Sequence, residues 1–374
     1  ALAGVAGWRA WLRHNAVGLA LATVAVLWRA VVRSRSLVSF DAGLHANGLR
    51  SYDIPSGQPH PPGYPLSVLA GRIVDVVVQD PIMAMVWLSI LWTGLTVFLL
   101  WRLGGRLGGR GAGTAAAALF ILSPLALYNG ATGLTYAADA AMATAIASAA
   151  WAAGARPDRR RLLVLGAALA IGVGVRPSAL LFLAPLAAWP LLRPGDLRQR
   201  ASRLGWIATA AVPVAVAWLV PMVAFGGGLR AILAADRAQS RTVVLRDTVF
   251  TDGWDVVGDN VRHLAQHATA ELTAGLWLLG AVLVALGLAG RGGLRLLNAN
   301  AAKAGFLALW MAPALLFYTF IYVGWPVYPS GYLMVVLPAV ALGIAAPAAA
   351  LLRAAPDSRR RRIGVATCLA LLIV

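Results

Sequence analysis

Long hydrophobic runs recur from one end of the chain to the other, separated by short polar segments. A helix needs about 20 apolar residues to cross a bilayer core, and a lipid-embedded backbone must satisfy its own hydrogen bonds. The runs lack the alternating pattern of a transmembrane barrel. The pattern therefore predicts an all-α polytopic membrane protein with about 10–11 transmembrane helices. These spans are predicted at about 16–33, 82–101, 113–129, 136–153, 162–175, 179–192, 204–224, 269–290, 304–323 and 333–352, with an eleventh starting at Ile363.

One apolar run, 64–78, does not fit a membrane span. It is shorter than a bilayer crossing and contains Arg72 and Asp75. A charge in mid-bilayer costs a few kcal/mol, whereas an amphipathic helix can lie along the interface. We predict that 64–78 lies on the outer interface, inside a long outer loop at about 34–81.

The arms 162–175 and 179–192 are also short. We interpret them as a hairpin that is re-entrant or sits in a thin region of the bilayer.

Composition and charge agree with this topology. The chain has 374 residues, of which 60% are hydrophobic and 12% charged, whereas soluble domains carry about 25% charged residues. Six loops, taken as cytoplasmic, hold 21 of the 32 basic residues and three of the 14 acidic residues, which accounts for the whole net charge of +18. This asymmetry is the positive-inside pattern, so it favours membrane lipids over nucleic acid as the partner. The six loops are 1–14, 102–112, 155–161, 193–203, 291–303 and 353–362.

The chain is expected to form a single transmembrane domain, 1–374, with a second long outer segment at about 225–268. One cysteine, Cys368, excludes an intrachain disulfide. The first run is followed by "VVRSRS", which offers no cleavage site, so it is interpreted as an uncleaved anchor. Because the sequence stops inside an apolar run, we expect the C-terminus to be truncated.

The first outer loop concentrates polar chemistry. Asp41 follows the first span closely, and a carboxylate there can accept a proton from an attacking hydroxyl. The alternative is that Asp41 caps a short helix. In "HPPGYPL" the prolines make a rigid entry that would hold His60 and Tyr64 at the headgroup level. The alternative there is an ordinary proline-rich helix start with an interfacial tyrosine.

Two charges lie near the outer ends of later spans. Asp139 stands early in "TYAADAA", where a carboxylate is costly enough to suggest a function. Its alternative is a charge that reaches the outer surface one turn away. Arg176 stands at the outer turn "RPS" and could clamp a phosphate, or it could extend towards lipid headgroups.

A third pattern places His263, His267 and Glu271 on one helical face. This spacing could bind a metal. The polar face of a helix entering the membrane is the favoured interpretation.

Several motifs, taken in order, point to a family. An acidic residue after the first span is followed by "PHPPGYPL" and by a span ending in the basic "WRLGGRLGG". Later come "LSPLALYNGATGLTYAADAAM", "LAIGVGVRPSALLFLAPLAAWPLL" and "WPVYPSGYLMVVLPAVALG". This order resembles the GT-C superfamily, whose members are polytopic glycosyltransferases that use polyprenyl-phosphate sugars. They include protein O-mannosyltransferase and lipid A aminoarabinose transferase types. The resemblance covers about residues 15–345.

The resemblance implies a GT-C-like bundle with a long first outer loop that carries interfacial helices. It also implies roles for individual residues: Asp41 as catalytic base, Asp139 as a second catalytic residue, His60 and Tyr64 beside the donor, Arg176 at the lipid phosphate, and Tyr328 and Tyr332 in the late element near the lipid. Many members have a second acid after the first, where this chain has Ala42. No cofactor is therefore certain, and a divalent metal stays an open alternative.

The sequence thus predicts an inverting glycosyltransferase of the cytoplasmic membrane, facing the periplasm or cell exterior. Its expected partners are a polyprenyl-phosphate-linked sugar, membrane lipids and a glycan, lipid or protein acceptor. One alternative is a lipid-linked sugar flippase or transporter, which should place polar sites near the bilayer midplane in repeated halves. Another is a non-catalytic scaffold, which would not need Asp41.

Overall fold

The computed structural model of the chain describes residues 2–241, 245, 248–271, 300–321 and 331–354. Within these ranges the chain is helical, and its β pairing amounts to one isolated bridge between Asp53 and Gln58. In the described part of the chain, two 3₁₀ turns, Ala184–Ala187 and Gly331–Val335, join α-helices. The α-helices are α1 Leu2–Val32, α2 Phe40–Arg50, α3 Pro65–Val78, α4 Pro81–Gly108, α5 Arg110–Leu122, α6 Pro124–Asn129, α7 Tyr136–Ala155, α8 Arg159–Val175, α9 Ala179–Leu183, α10 Ala188–Leu191, α11 Leu197–Phe225, α12 Leu229–Gln239, α13 Val249–Asp252, α14 Trp254–Glu271, α15 Ala301–Phe320 and α16 Leu337–Ala354.

Several of these helices have the length and hydropathy of membrane spans. In the described part of the chain there are four: Trp8–Val32 within α1, and the whole of α4, α11 and α15. Three shorter apolar stretches accompany them, at Arg110–Leu122, Ala179–Leu191 and Leu337–Leu351. The all-α membrane architecture predicted from the sequence is confirmed. The predicted span at 269–290, from residue 272 onward, and the run from Ile363 lie outside the described residues.

Two predicted spans are interrupted rather than continuous. The run 179–192 is divided into α9, a 3₁₀ turn and α10, because Pro185 and Pro190 lack the amide N–H that continues a helix. The run 113–129 breaks between α5 and α6, where Ser123 caps the new helix and Pro124 begins it. The fully buried Arg29 of α1 donates hydrogen bonds to backbone carbonyls on both sides of this break, Ile121 at 3.2 Å and Ala126 at 3.4 Å.

The bundle has two chemically different ends. Helices α4, α7 and α8 each run between them, and the small residues of α7 let its neighbours approach closely. One end holds the start of α7 and the end of α8. The other holds the start of α8 and the end of α4, where the Arg353 guanidinium donates to the Gly108 carbonyl at 2.5 Å. Two of the predicted basic loops therefore meet at one end of the bundle.

The run 64–78 forms the helix α3, and its charged Arg72 is tied to the end of α2. Its guanidinium donates to the Leu49 carbonyl at 2.8 Å, which joins α3 to α2. Ile73, Val76 and Val77 remain 64%, 73% and 84% exposed. An apolar face of this kind on a short helix is suited to the membrane interface.

Cysteine labelling can test the predicted position of α3. In a Cys368→Ser background, Ser56→Cys and Gln79→Cys should react with a membrane-impermeant thiol reagent from the same side. The two residues flank α3 and are exposed. Ser202→Cys, exposed at the other end of the bundle, should react from the opposite side. Labelling of Ser56→Cys and Gln79→Cys from opposite sides would mean that α3 crosses the membrane.

Candidate active site

A cavity of about 640 Å³ opens at the end of the bundle formed by the start of α7 and the end of α8. Its walls come from α2, the loop before α3, the segment after α8, α12, α15 and the second 3₁₀ turn. The structure thereby brings together residues that are far apart in the sequence. Polar and titratable side chains line this cavity, including Asp41, His45, His60, Tyr64, Thr135, Arg176, Asp236, Tyr318 and Tyr332.

Asp41 stands in the first turn of α2 and lines the cavity. The helix is capped by Ser39, whose hydroxyl accepts a hydrogen bond from the Ala42 amide at 3.2 Å. The alternative that Asp41 itself is the cap is therefore wrong. Asp41 is exposed, and among the described residues no hydrogen bond or ion pair engages its carboxylate. The site thus presents an available proton acceptor.

His45, His60 and Tyr64 form a compact aromatic cluster beside Asp41. The ring centroids are 5.2 Å apart for His45 and His60, 4.7 Å for His45 and Tyr64, and 5.0 Å for His60 and Tyr64, all in edge-to-face geometry. His60 Nδ1 lies 2.8 Å from the Pro61 carbonyl oxygen, a contact that orients the ring. The proline-rich entry therefore places His60 and Tyr64 beside His45 of α2.

Electrostatics in this cluster favour the neutral forms of His45 and Tyr64. Burial lowers the pKa of His45 well below its ordinary value, and the charges of His60 and Arg176 lower it further. Burial also raises the pKa of Tyr64, against the opposing effect of Arg176. His45 is 2% exposed, and its Nδ1 atom has no hydrogen-bond partner within the described structure.

Arg176 is held by a set of polar and aromatic partners. Its Nε lies 2.9 Å from Asp139 Oδ2, and its Nη1 donates to the Thr135 hydroxyl at 2.7 Å. Its guanidinium carbon lies 4.2 Å from the Tyr136 ring centroid. Burial alone would lower the pKa of Arg176, but Asp139 and the nearby tyrosines outweigh burial and raise it. Arg176 is therefore a permanent cation on the cavity wall.

Asp139 occupies a different position from Asp41. Its residue is 7% exposed, it pairs with Arg176, and it is absent from the cavity wall in the described structure. The sequence placed both carboxylates among the catalytic residues. The geometry instead favours a positioning role for Asp139, because its oxygen holds the guanidinium and lies off the described cavity wall.

Aromatic rings form the wall opposite α2. Tyr332 packs on Tyr136 and Tyr318 with centroid distances of 5.7 Å each. The Tyr318 hydroxyl donates to the Tyr332 carbonyl at 2.9 Å. A side chain on Gly331 would place its Cβ 1.9 Å from the Tyr136 ring, so only glycine allows this close packing. Tyr328, also predicted for the site, lies outside the described residues.

Sequence reasoning missed three kinds of residue at this site. Thr135 and Tyr136 lie four and three residues before Asp139, and this short spacing was the available signal. His45 is four residues after Asp41 on α2, and this one-turn spacing was the available signal. Asp236 belongs to α12, and nothing in its local sequence indicates the cavity. Within the described part of the chain, no three His, Cys, Asp or Glu side chains converge as metal ligands.

A pH titration of stability can test the burial of neutral His45. An unfolded histidine titrates near pH 6.5. Because the pKa of His45 is lower in the folded protein, the unfolded state binds an extra proton below that pH. Stability should therefore fall as the pH drops below about 6.5, with His45 contributing up to roughly 1.4 kcal/mol per pH unit. Thermal melting in detergent between pH 5 and 8 should show a shallower slope in His45→Gln.

The exposed His14 provides the matched control, and His14→Gln should leave the slope unchanged. Equal slopes for the wild type and His45→Gln would contradict the lowered pKa, because they would mean that His45 binds its proton equally well in the folded and unfolded states.

Comparison with known proteins agrees with this architecture. Residues 60–225 match the family described as dolichyl-phosphate-mannose-protein mannosyltransferase. No curated protein sequence matches the chain. Similar solved structures share its fold at low sequence identity.

One is ArnT from Cupriavidus metallidurans bound to undecaprenyl phosphate, with 15% identity and a TM-score of 0.59 over 96% of this chain. A second is the Archaeoglobus fulgidus oligosaccharyltransferase in its apo form, with 13% identity, a TM-score of 0.60 and 96% coverage of this chain. A third is the oligosaccharyltransferase AglB from the same organism, in complex with an inhibitory peptide and a dolichol-phosphate, with 12% identity, a TM-score of 0.53 and 96% coverage of this chain. The chain spans 64%, 55% and 54% of the lengths of these proteins. At these identities the solved structures show that the fold is shared, and the family match at 60–225 agrees with the resemblance seen in the sequence.

Proposed function

From the premise that this chain has the GT-C fold of membrane glycosyltransferases, we propose that it is an inverting transferase that uses a polyprenyl-phosphate sugar. One observation carries the proposal. The unpaired Asp41 carboxylate and the fixed Arg176 cation line the same cavity of about 640 Å³. A base and a phosphate-binding cation in one cavity are the two groups that glycosyl transfer from a lipid phosphate requires.

The reaction can be assigned to named groups. The acceptor hydroxyl loses its proton to Asp41 as its oxygen attacks the anomeric carbon. The bond from that carbon to the phosphate oxygen breaks, and the electron pair leaves with the lipid phosphate. Arg176 stabilises the negative charge of this leaving group. Attack opposite to the leaving group inverts the configuration at the anomeric carbon.

Asp139 and Thr135 act on Arg176 rather than on the substrate. Their oxygens hold Nε and Nη1, so the guanidinium keeps one orientation. A preorganised cation stabilises a developing charge without reorganising during the reaction. We propose that Asp139 is a positioning residue for this reason.

The donor class is supported by the comparisons. The description of the matched family names dolichyl-phosphate-mannose. The ArnT structure contains undecaprenyl phosphate, and the AglB complex contains a dolichol-phosphate. We extend only the lipid-phosphate chemistry to this chain. The transferred hexosyl or pentosyl group and the glycan, lipid or protein acceptor are left to experiment.

We also propose that the site faces the outer side of the cytoplasmic membrane. The cavity and the predicted cytoplasmic arginine loops at 102–112 and 155–161 lie at opposite ends of α4, α7 and α8. Nucleotide sugars are cytoplasmic, so an outward cavity needs a sugar already carried across on a lipid. The polyprenyl-phosphate donor meets this requirement.

The function can be tested with the full chain in lipid nanodiscs. Radiolabelled polyprenyl-phosphate hexoses and pentoses would be supplied with glycan, lipid and peptide acceptors, and the release of polyprenyl phosphate measured. Mass spectrometry of cell-envelope glycans with and without the gene identifies the natural acceptor. In proteoliposomes, movement of an intact donor between leaflets without sugar transfer would overturn the proposal in favour of a flippase.

A further inference from the structure

A second cavity, of about 660 Å³, lies at the opposite end of the bundle from the candidate active site. It opens between the first turns of α8 and α11, which pack side by side. Helix α8 has 17 residues, and at 1.5 Å per residue it separates the two cavities by about 25 Å. Its wall includes four charged side chains and one tryptophan: Arg159, Asp196, Arg198, Arg203 and Trp206.

The charge of this region is strongly positive. The segments 155–161 and 193–203 together contain eight arginines and two aspartates. Both aspartates are already engaged. Asp158 pairs with Arg161 at 2.7 Å, and Asp196 accepts from the Gln199 amide at 2.7 Å. Because eight arginines face only two aspartates, the positive charge of these two segments is not balanced within them.

The cavity arginines divide into two groups. Arg203 has a structural role, because its guanidinium donates to the carbonyls of Pro190, Arg193 and Pro194 at 2.9–3.0 Å. Arg159 and Arg198, in contrast, have no carboxylate partner within the described ranges. Two arginines on one cavity wall are thus left to bind an anion.

One of these two arginines is fixed by an aromatic ring. The Arg159 guanidinium carbon lies 4.3 Å from the ring centroid of Trp206. Stacking covers one face of the guanidinium and leaves its N–H edge free for bidentate contact with phosphate oxygens. Tryptophan also favours the membrane interface, because its ring is largely apolar and its N–H group is polar.

The surroundings of the cavity favour a lipid over a soluble anion. Apolar side chains close to it on the bundle surface are exposed, with Val164 at 53%, Leu197 at 83% and Leu204 at 52%. A soluble phosphate cannot bury these apolar side chains, whereas the acyl chains of a lipid can cover them. The combination of a cationic cavity and an apolar border matches an amphipathic anion.

We propose that this cavity binds the headgroup of an anionic phospholipid of the phosphatidylglycerol class. Arg159 and Arg198 hold its phosphate, Trp206 fixes Arg159, and the acyl chains cover the apolar border. The site lies apart from the transferase cavity and does not depend on the proposed reaction. Its occupancy ties the first turns of α8 and α11 together.

Thermal melting of the detergent-purified full chain can test this site. Dioleoyl phosphatidylglycerol should raise the Tm in a saturable manner, and dioleoyl phosphatidylcholine should not. The double variant Arg159→Gln/Arg198→Gln should lose most of the shift, because each arginine near an anionic headgroup contributes roughly fivefold in affinity. Arg159→Lys/Arg198→Lys keeps the charge but not the fork or the stacking, so it should retain an intermediate shift.

The matched control removes the same charge from the same end of the bundle. Arg9→Gln/Arg13→Gln changes two exposed arginines of α1 and should keep the full shift. An equal loss in the control would show attraction to bulk charge and overturn the site. An equal rise in Tm with inorganic phosphate or glycerol phosphate would overturn the lipid as its occupant. If Arg159→Gln/Arg198→Gln does not fold, the lysine pair decides, and a full shift there contradicts the bidentate site.

Discussion

Asp41→Asn is expected to abolish sugar transfer while leaving donor binding and the melting temperature close to those of the wild type. The amide is nearly isosteric with the carboxylate but is a very poor proton acceptor. Loss of a general base typically costs about 10²–10⁴-fold in rate. Stability should change little, because among the described residues no partner engages the Asp41 carboxylate. Turnover is measured as polyprenyl phosphate released per folded molecule.

Two further carboxylates sharpen this test. Asp53 lies in the same outer loop but does not line the cavity. Its carboxylate accepts hydrogen bonds from the Ser56 hydroxyl at 2.6 Å and the Ser56 backbone amide at 3.4 Å. Asp53→Asn should therefore keep normal turnover. Asp236 also lines the cavity, so Asp236→Asn asks whether the base is on α12 instead. Near-normal turnover in Asp41→Asn together with a large loss in Asp236→Asn would move the base to Asp236.

Arg176→Ala is expected to lose both activity and stability, for separable reasons. Removing the proposed phosphate-binding cation should lower turnover by on the order of 10²-fold or more. The same change leaves the buried Asp139 carboxylate unpaired, which costs about 3–5 kcal/mol. Arg176→Lys should retain part of the donor affinity and turnover, because a lysine supplies the charge but not the guanidinium fork.

The double variant Arg176→Ala/Asp139→Asn separates the two effects. It removes the unpaired carboxylate, so the melting temperature should recover much of what Arg176→Ala loses. Turnover and donor affinity should stay low, since the phosphate still lacks its cation. Recovery of turnover together with stability would identify Arg176 as a structural anchor and leave the phosphate site to be sought elsewhere. Melting curves, donor binding and turnover are measured on all three variants.

The sequence predicted the helical membrane architecture because bilayer length and loop charge act on each segment separately. It also predicted that 60–64 would be held rigidly, since proline limits the local backbone. The break within 179–192 was missed because the hydropathy of this run is continuous, although its prolines were visible. The local sequence around residue 40 did not separate Ser39 from Asp41 as the helix cap, and only the backbone geometry does so.

The pairing of Asp139 with Arg176 lies further beyond sequence reasoning. The two residues are on different helices, and their ion pair depends on how α7 packs beside α8. Each side chain alone suggested a substrate role. Only the distance between them shows that Asp139 holds Arg176. Asp236 illustrates the same limit, because it reaches the cavity through the packing of an amphipathic helix with no distinctive motif.

The shortness of α8 has a consequence for the surrounding bilayer. This helix joins the cationic cavity to Arg176 across about 25 Å, whereas a typical hydrocarbon core is about 30 Å thick. Both polar ends reach headgroup depth only if the lipid layer beside α8 is compressed or the helix is surrounded by shorter chains, at a cost of fractions of a kcal/mol per ångström of mismatch. Acyl-chain length is therefore expected to set the hydrophobic mismatch at α8. Thinner bilayers should reduce this mismatch, and thicker bilayers should draw Arg176 into the hydrocarbon core.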